Sequence, residues 1–218
     1  MKKLFSLLLF PALLCLIIGC SSQSGLVSRV SEYRSVLYTA KADGASLQAS
    51  FSEREYPYAA DGSAAEKSDV FEVRATLPDN TLTYRVSFET GGKPYEGEMN
   101  YDSVKQQFTF SVSLSAPQEE ELAFTVSAEG EGAPSYTFAA KRTEGKLSLS
   151  DLLSTVSESR KDELADFAGE NFDGEIYVRL LMQGESRYYY VGFIDRSGNC
   201  LSFLADADTG EVLATKKP

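Results

Sequence analysis

Between Tyr33 and Lys141 apolar and polar residues alternate with a period of two. Phe71, Val73, Ala75 and Leu77 alternate with Glu72, Arg74 and Thr76. Leu82, Tyr84, Val86 and Phe88 alternate with Thr83, Arg85 and Ser87; Phe108, Phe110, Val112 and Leu114 with Thr109, Ser111 and Ser113. Leu122, Phe124 and Val126 repeat the pattern, as do Tyr136, Phe138 and Ala140. In an extended chain successive side chains point to opposite faces, so this pattern means one dry face and one wet face. Antiparallel sheets are built that way, whereas parallel sheets bury both faces. The runs are separated by turn-forming stretches: Asp43-Gly44, Pro78-Asp79-Asn80, Gly91-Gly92-Lys93-Pro94 and Gly130-Glu131-Gly132. These spacings predict an antiparallel β-sandwich or meander of about eight strands over residues 33–143. The segment Glu55 to Ser68 has no period and reads as an exposed loop.

Near Glu144 the period changes. Leu149, Leu152, Leu153, Val156, Arg160, Leu164 and Phe167 recur at three and four, which marks an amphipathic helix with a possible break at 157–159. Ser148 and Asp151 have the spacing of a capping box, and Gly169 is placed to stop the helix. After Gly174 the period of two returns. Strands are expected at Glu175–Gln183, Arg187–Asp195, Cys200–Asp206 and Glu211–Thr215. The fold class is therefore mainly β with α+β: the sandwich or meander, then a small helix-plus-antiparallel-sheet domain over 144–218.

The last hairpin, Asp206-Ala207-Asp208-Thr209-Gly210-Glu211-Val212-Leu213, resembles the aspartate-rich D-x-x-T-G-x-V turn that commonly ends a PepSY domain. With the helix and strands before it, the resemblance spans roughly Leu147 to Thr215. It implies a non-catalytic module of the kind found in protease propeptides and cell-envelope proteins, where it is proposed to inhibit peptidases. It carries over no catalytic residue.

Two lysines, Lys2 and Lys3, precede an apolar run from Leu4 to Ile18 that is interrupted by Pro11. The run is short for a membrane span, which needs about 20 apolar residues. It ends in Ile17-Ile18-Gly19-Cys20, which resembles the lipobox of bacterial lipoprotein signal peptides. The resemblance implies cleavage of residues 1–19 and lipid on Cys20, with palmitate as the expected kind of acyl group. It places the chain outside the cytoplasm, anchored to the bacterial cell membrane. Residues 20–32, including the Ser-rich stretch Ser21 to Gly25, then read as lipidated cysteine and linker.

Composition excludes several functions. The formal charge is −11, so nucleic-acid phosphates repel the chain, and no basic cluster stands out in the sequence to offset this. Anionic headgroups repel it too, so the membrane is reached through the lipid on Cys20. With Cys15 in the leader and Cys20 acylated, Cys200 has no partner for an internal disulfide; it reads as a small buried hydrophobe. Histidine is absent, which removes Ser-His and Cys-His nucleophile systems and the usual zinc sets. No serine-hydrolase signature and no phosphate-binding glycine loop occurs. No enzyme, cofactor or metal site is expected. Asp206, Asp208 and Glu211 begin like a calcium loop, but Gly210 stands where a further ligand belongs, and a hairpin turn accounts for them. Glu158, Asp162 and Asp166, four apart, read as one solvated helix face.

The candidate binding residues are tyrosines. Tyr188 and Tyr190 share one face of a strand, with Tyr189 on the other, and Tyr56 and Tyr58 flank Pro57 in the irregular segment. An exposed tyrosine offers flat apolar area with a polar tip. Three readings follow. The first is a non-enzymatic lipoprotein that binds a protein partner in the cell envelope, with a peptidase as one such partner; it expects an exposed apolar patch or an unpaired sheet edge. The second is a carbohydrate- or cell-wall-glycan-binding module; it expects coplanar exposed tyrosines in a shallow groove. The third is a carboxylate-based hydrolase; it expects two acids about 5–10 Å apart across a cleft.

Overall fold

A computed structural model describes residues 23–42, 44–55, 62–169 and 172–218. The leader, Cys20, Tyr56 and Tyr58 lie outside the described residues. A short helix, α1 (Gln23–Val27), leads into β1 (Val30–Ala42). Then come β2 (Ala45–Glu55), β3 (Lys67–Thr76), β4 (Tyr84–Thr90), β5 (Lys93–Glu98), β6 (Asn100–Asp102), β7 (Gln107–Val112), β8 (Glu121–Ala128) and β9 (Ser135–Glu144). Helices α2 (Leu149–Ser159) and α3 (Lys161–Ala168) follow, then β10 (Glu175–Gln183), β11 (Ser186–Ile194), β12 (Cys200–Asp206) and β13 (Val212–Lys216).

The alternating faces of the first nine strands close on themselves. On one side of β1 the order runs β2, β3, β7, β6; on its other side it runs β9, β8, β4, β5. β5 and β6 are separated only by the buried Met99, so the two arms meet in one bent strand and form a nearly closed antiparallel barrel. β5 pairs only with β4 and β6 only with β7, so the seam between the arms is bridged by the chain through Met99 and not by a ladder of strand hydrogen bonds. At the meeting point Phe110 of β7 lies over Gly97 of β5; a Cβ there would sit 2.2 Å from the ring. The inward residues make one aromatic core in which Tyr38, Phe71, Tyr84, Phe124 and Phe138 are essentially inaccessible.

The second core lies between the helices and β10–β13. Leu152, Leu153 and Val156 of α2 pack on Ile176, Val178, Leu180, Tyr189, Val191, Phe193, Leu201 and Phe203. Ser148 caps α2, accepting from the Asp151 backbone N–H at 3.1 Å while its hydroxyl donates to the Asp151 carboxylate at 2.6 Å. The helix breaks at Arg160, where the chain leaves helical geometry before α3. Glu158 therefore belongs to α2 and Asp162 and Asp166 to α3, so the three acids do not share one helix as the spacing suggested.

Both cores share β1. Its first half runs parallel to β10, pairing Tyr33 with Val178 and Arg34 with Arg179. Its second half pairs antiparallel with β9, while β2 lines its other side along most of its length. Register slips between Val30 and Glu32 and between Arg34 and Val36 turn the strand from one core to the other. As a result Val36 and Tyr38 belong to the barrel core, and Val30 and Leu37 to the second. This corrects the expectation of a linker up to residue 32. Residues 23–32 include a helix and the start of β1, and Val30, Ser31 and Glu32 are buried because the second core and β10 need them. In the described part of the irregular segment Ser63, Ala65 and Glu66 are exposed, while Gly62 is buried and its N–H donates to Glu175 Oε1 at 3.3 Å.

Candidate functional site

The sheet β10–β13 has two faces, and the helices cover only one. The face toward them carries Val178, Leu180, Tyr189 and Val191. The opposite face carries Tyr177 and Arg179 from β10, Tyr188 and Tyr190 from β11 and Leu204 from β12. Among the described residues no helix packs on it. The alternation that sends Tyr189 inward sends its neighbours outward, so this face follows from strand geometry. Tyr189 is buried beside Tyr33, with ring centroids 6.5 Å apart, and burial drives its hydroxyl well above the usual tyrosine range.

Tyr188 and Tyr190 are half-buried on this outer face. Tyr190 stacks on Tyr177 at 5.7 Å with 21° between the planes. The Arg179 guanidinium lies 4.6 Å from the centre of the Tyr177 ring. Its Nη2 also pairs with Glu32 Oε2 at 2.5 Å. The Tyr177 hydroxyl is 3.3 Å from Cys200 Sγ, so the thiol sits half-exposed on this face and is not a core side chain. Burial first, and the contacts to Cys200 and Tyr190 next, raise the Tyr177 hydroxyl far above its ordinary range.

Because β1 runs beside β10, the face continues onto the outside of the barrel. Arg34 pairs across with Arg179 on one side and Ser52 on the other, and the β2 row Gln48, Ser50, Ser52 and Arg54 leads to Glu72 and Arg74 on β3. Arg34 keeps 13 % of its side chain exposed and lies 3.7 Å from Glu32, which is almost fully buried. Burial pulls the Arg34 guanidinium down to about 10; Glu32 opposes this, and the nearby charges of Arg74 and Arg179 add to it. Arg74 pairs with Glu72 at 2.5 Å.

The other suggested sites have structural roles. Asp206 Oδ1 accepts from the backbone N–H of Asp208 and Thr209 and from the Thr209 hydroxyl, at 2.9–3.0 Å. Those bonds, the Thr209 backbone first, hold its carboxyl below the ordinary aspartate value. Asp208 pairs with Lys146 at 2.9 Å and Arg187 at 2.7 Å. No group of three or more acids, cysteines or histidines suited to a metal occurs among the described residues. No described helix is long and apolar enough to cross a membrane.

The sequence pointed to Tyr188 and Tyr190 but not to Tyr177, Arg179, Arg34 or Arg74. The alternation Ile176-Tyr177-Val178-Arg179-Leu180 does show that Tyr177 and Arg179 share the outer face. Only the parallel pairing of β1 with β10 reveals that Arg34 joins them. No family model, no curated protein and no solved structure matches the chain.

Proposed function

We propose that this chain is a non-enzymatic, lipid-anchored extracytoplasmic protein that holds a protein partner of the bacterial cell envelope, with a peptidase as one such partner. The observation that carries the reading is the uncovered face where Tyr177, Tyr190 and Arg179 pack together. Tyrosine and arginine are the residues on which interface energy concentrates, because each supplies large contact area with directed polar groups. Here they are pre-organised by stacking and by the Glu32 ion pair, so docking orders few side chains. The outer edge of β13, with Leu213 half-exposed beside it, lies at the end of the same sheet and is unpaired among the described strands.

The buried acids give the hydrolase reading little support. Glu32 is tied to Arg34 and Arg179, Glu55 accepts from the Ala65 N–H, and Glu175 accepts from the Gly62 N–H. The glycan reading is weakened by geometry as well. Tyr177 and Tyr190 spend ring faces on each other and on Arg179, where a sugar platform needs them free.

The test uses the full chain as bait against envelope extract of the source bacterium, beside Tyr190→Asp and Arg179→Gln. Asp162→Asn, on an exposed turn of α3, serves as control. A protein retained by wild type and control, lost with both face variants, and captured again when purified supports the reading. Retention unaffected by the face variants overturns it, and retention of wall polysaccharide in place of protein transfers the function to the glycan reading. The anchor is tested separately: Cys20→Ser should release the chain from the membrane fraction and abolish labelling by a palmitate analogue. A membrane-bound, labelled variant refutes the anchor.

A further inference from the structure

We infer that the outer face of β1–β3 holds a second site, a groove that binds a phosphate group. The groove measures about 460 Å3 and is lined by Thr39, Lys41, Gln48, Arg74, Thr76 and Gln107. Its floor is set by strand register. Thr39, Gln48, Arg74 and Thr109 form one row across β1, β2, β3 and β7, and Lys41, Ser46 and Thr76 form the next. Every one of these side chains can donate a hydrogen bond, and none is a carboxylate.

Charge points the same way. The chain carries −11, yet the two charged side chains lining the groove, Lys41 and Arg74, are both basic, and the charge of Arg34 bears on Arg74 from further along the same face. The Nε atoms of Arg34 and Arg74 are buried and have no acceptor among the described residues. Leaving the Arg74 donor unmatched beside the charge of Arg34 is costly, and an oxyanion held at Arg74 relieves that cost. A phosphate suits the groove better than a carboxylate. It offers more acceptor oxygens, and Arg74 and Lys41 approach from different rows with hydroxyls and amides between them. Glu72 holds one Nη of Arg74 and so limits the affinity.

The ligand is either a free phosphate compound or the phosphodiester of a lipid headgroup. This site does not depend on a protein docking at the tyrosines, so the two readings fail separately.

The experiment is calorimetric titration of the full chain in neutral detergent, with inorganic phosphate in one arm and dihexanoyl-phosphatidylglycerol in the other. Dihexanoyl-phosphatidylcholine and sodium chloride at matched ionic strength are the blanks. Wild type should bind at least one of the two phosphate probes above the blanks. Arg74→Gln should weaken that binding about tenfold or more, as loss of a charged hydrogen bond does. Lys41→Gln should weaken it several-fold, and Glu72→Gln should tighten it. Lys93→Gln, an exposed lysine on β5, should leave it unchanged. Tighter binding of phosphatidylglycerol names the headgroup as the source, and tighter binding of inorganic phosphate names a free ligand. The inference is overturned if neither probe exceeds the blanks, or if Lys93→Gln weakens binding as much as Arg74→Gln. It is also overturned if a folded Glu72→Gln fails to tighten binding while Arg74→Gln has no effect.

Discussion

Replacing Leu37 with alanine should destabilise both cores together, although Leu37 touches only one. Leu37 is fully buried in the helix-side core, while its chain neighbours Val36 and Tyr38 point into the barrel. The substitution removes three carbons. At about 0.8 kcal/mol each that is about 2.4 kcal/mol of lost transfer energy, and the cavity left behind raises the total to about 3 kcal/mol. The site cannot collapse freely, because Leu37 is paired on both sides, with Ser50 of β2 and Thr143 of β9. With a urea slope of about 2–3 kcal/mol/M, the midpoint should fall by about 1–1.5 M in a single transition. Native-state hydrogen exchange reads the coupling directly. About 3 kcal/mol is roughly a hundredfold or more in protection, and the Phe124 amide in the barrel should lose it with the Phe193 amide beside the helices. If Phe193 loses protection and Phe124 keeps it, or if unfolding splits into two steps with one unmoved, the shared strand does not couple the cores.

Acid should destabilise the chain only at low pH. Asp195 and Asp206, like Asp79 and Asp102, are hydrogen-bonded as carboxylates, which lowers their folded-state values. Their contribution is present above the unfolded aspartate value of about 3.9 and is lost as pH falls through the folded values. The melting temperature should hold from pH 7 to 5 and drop by pH 3; a drop complete by pH 5.5 refutes this. Alkali should act in the opposite sense. Tyr38 is pushed up to about 12 by burial, and Tyr177 and Tyr189 are raised further. Their contribution is present below pH 10 and is lost above it, so absorbance titration should leave these three protonated until the fold opens; smooth titration of every tyrosine near pH 10 counts against it. Gly62→Ala should cost more than about 1 kcal/mol, because a Cβ there would meet Arg196 Cα at 2.7 Å and φ is +80°. Unchanged urea stability would show that this contact is not part of the folded state.

The strands with strict alternation, β3, β4, β7, β8 and β9, were legible because each has one dry face, and so were β10–β12 and the α2 cap. β1 was harder to place, since two register slips break its period just where it passes from one core to the other. Residues 23–32 look like linker in sequence for a related reason. The partner of Val30 is Ile176, about two thirds of the chain's length away, and no local pattern announces a parallel pairing at that distance. Barrel closure was also hidden, because it depends on one buried residue, Met99, bridging two short strands with little pattern of their own.

The same non-local pairing explains why the basic cluster escaped a reading by composition. Lys41, Arg34, Arg74 and Arg179 are scattered through an acidic sequence, and each has acidic residues near it in the chain, so none reads as part of a patch. A sheet counts neighbours across strands. Once β1 lies between β10 and β2, Arg34 faces Arg179, and the row through Gln48 brings Arg74 to the same side. An overall charge of −11 therefore does not describe the charge of this local surface. Salt dependence of phosphate binding checks this directly. If the phosphate site is a local concentration of positive charge on a repelling body, raising ionic strength screens the attraction inside the groove and the repulsion from the rest of the chain together. Phosphate affinity should then change little between 50 and 200 mM sodium chloride. A steep loss over that range would mean that long-range attraction carries the binding, which a chain of this net charge cannot supply.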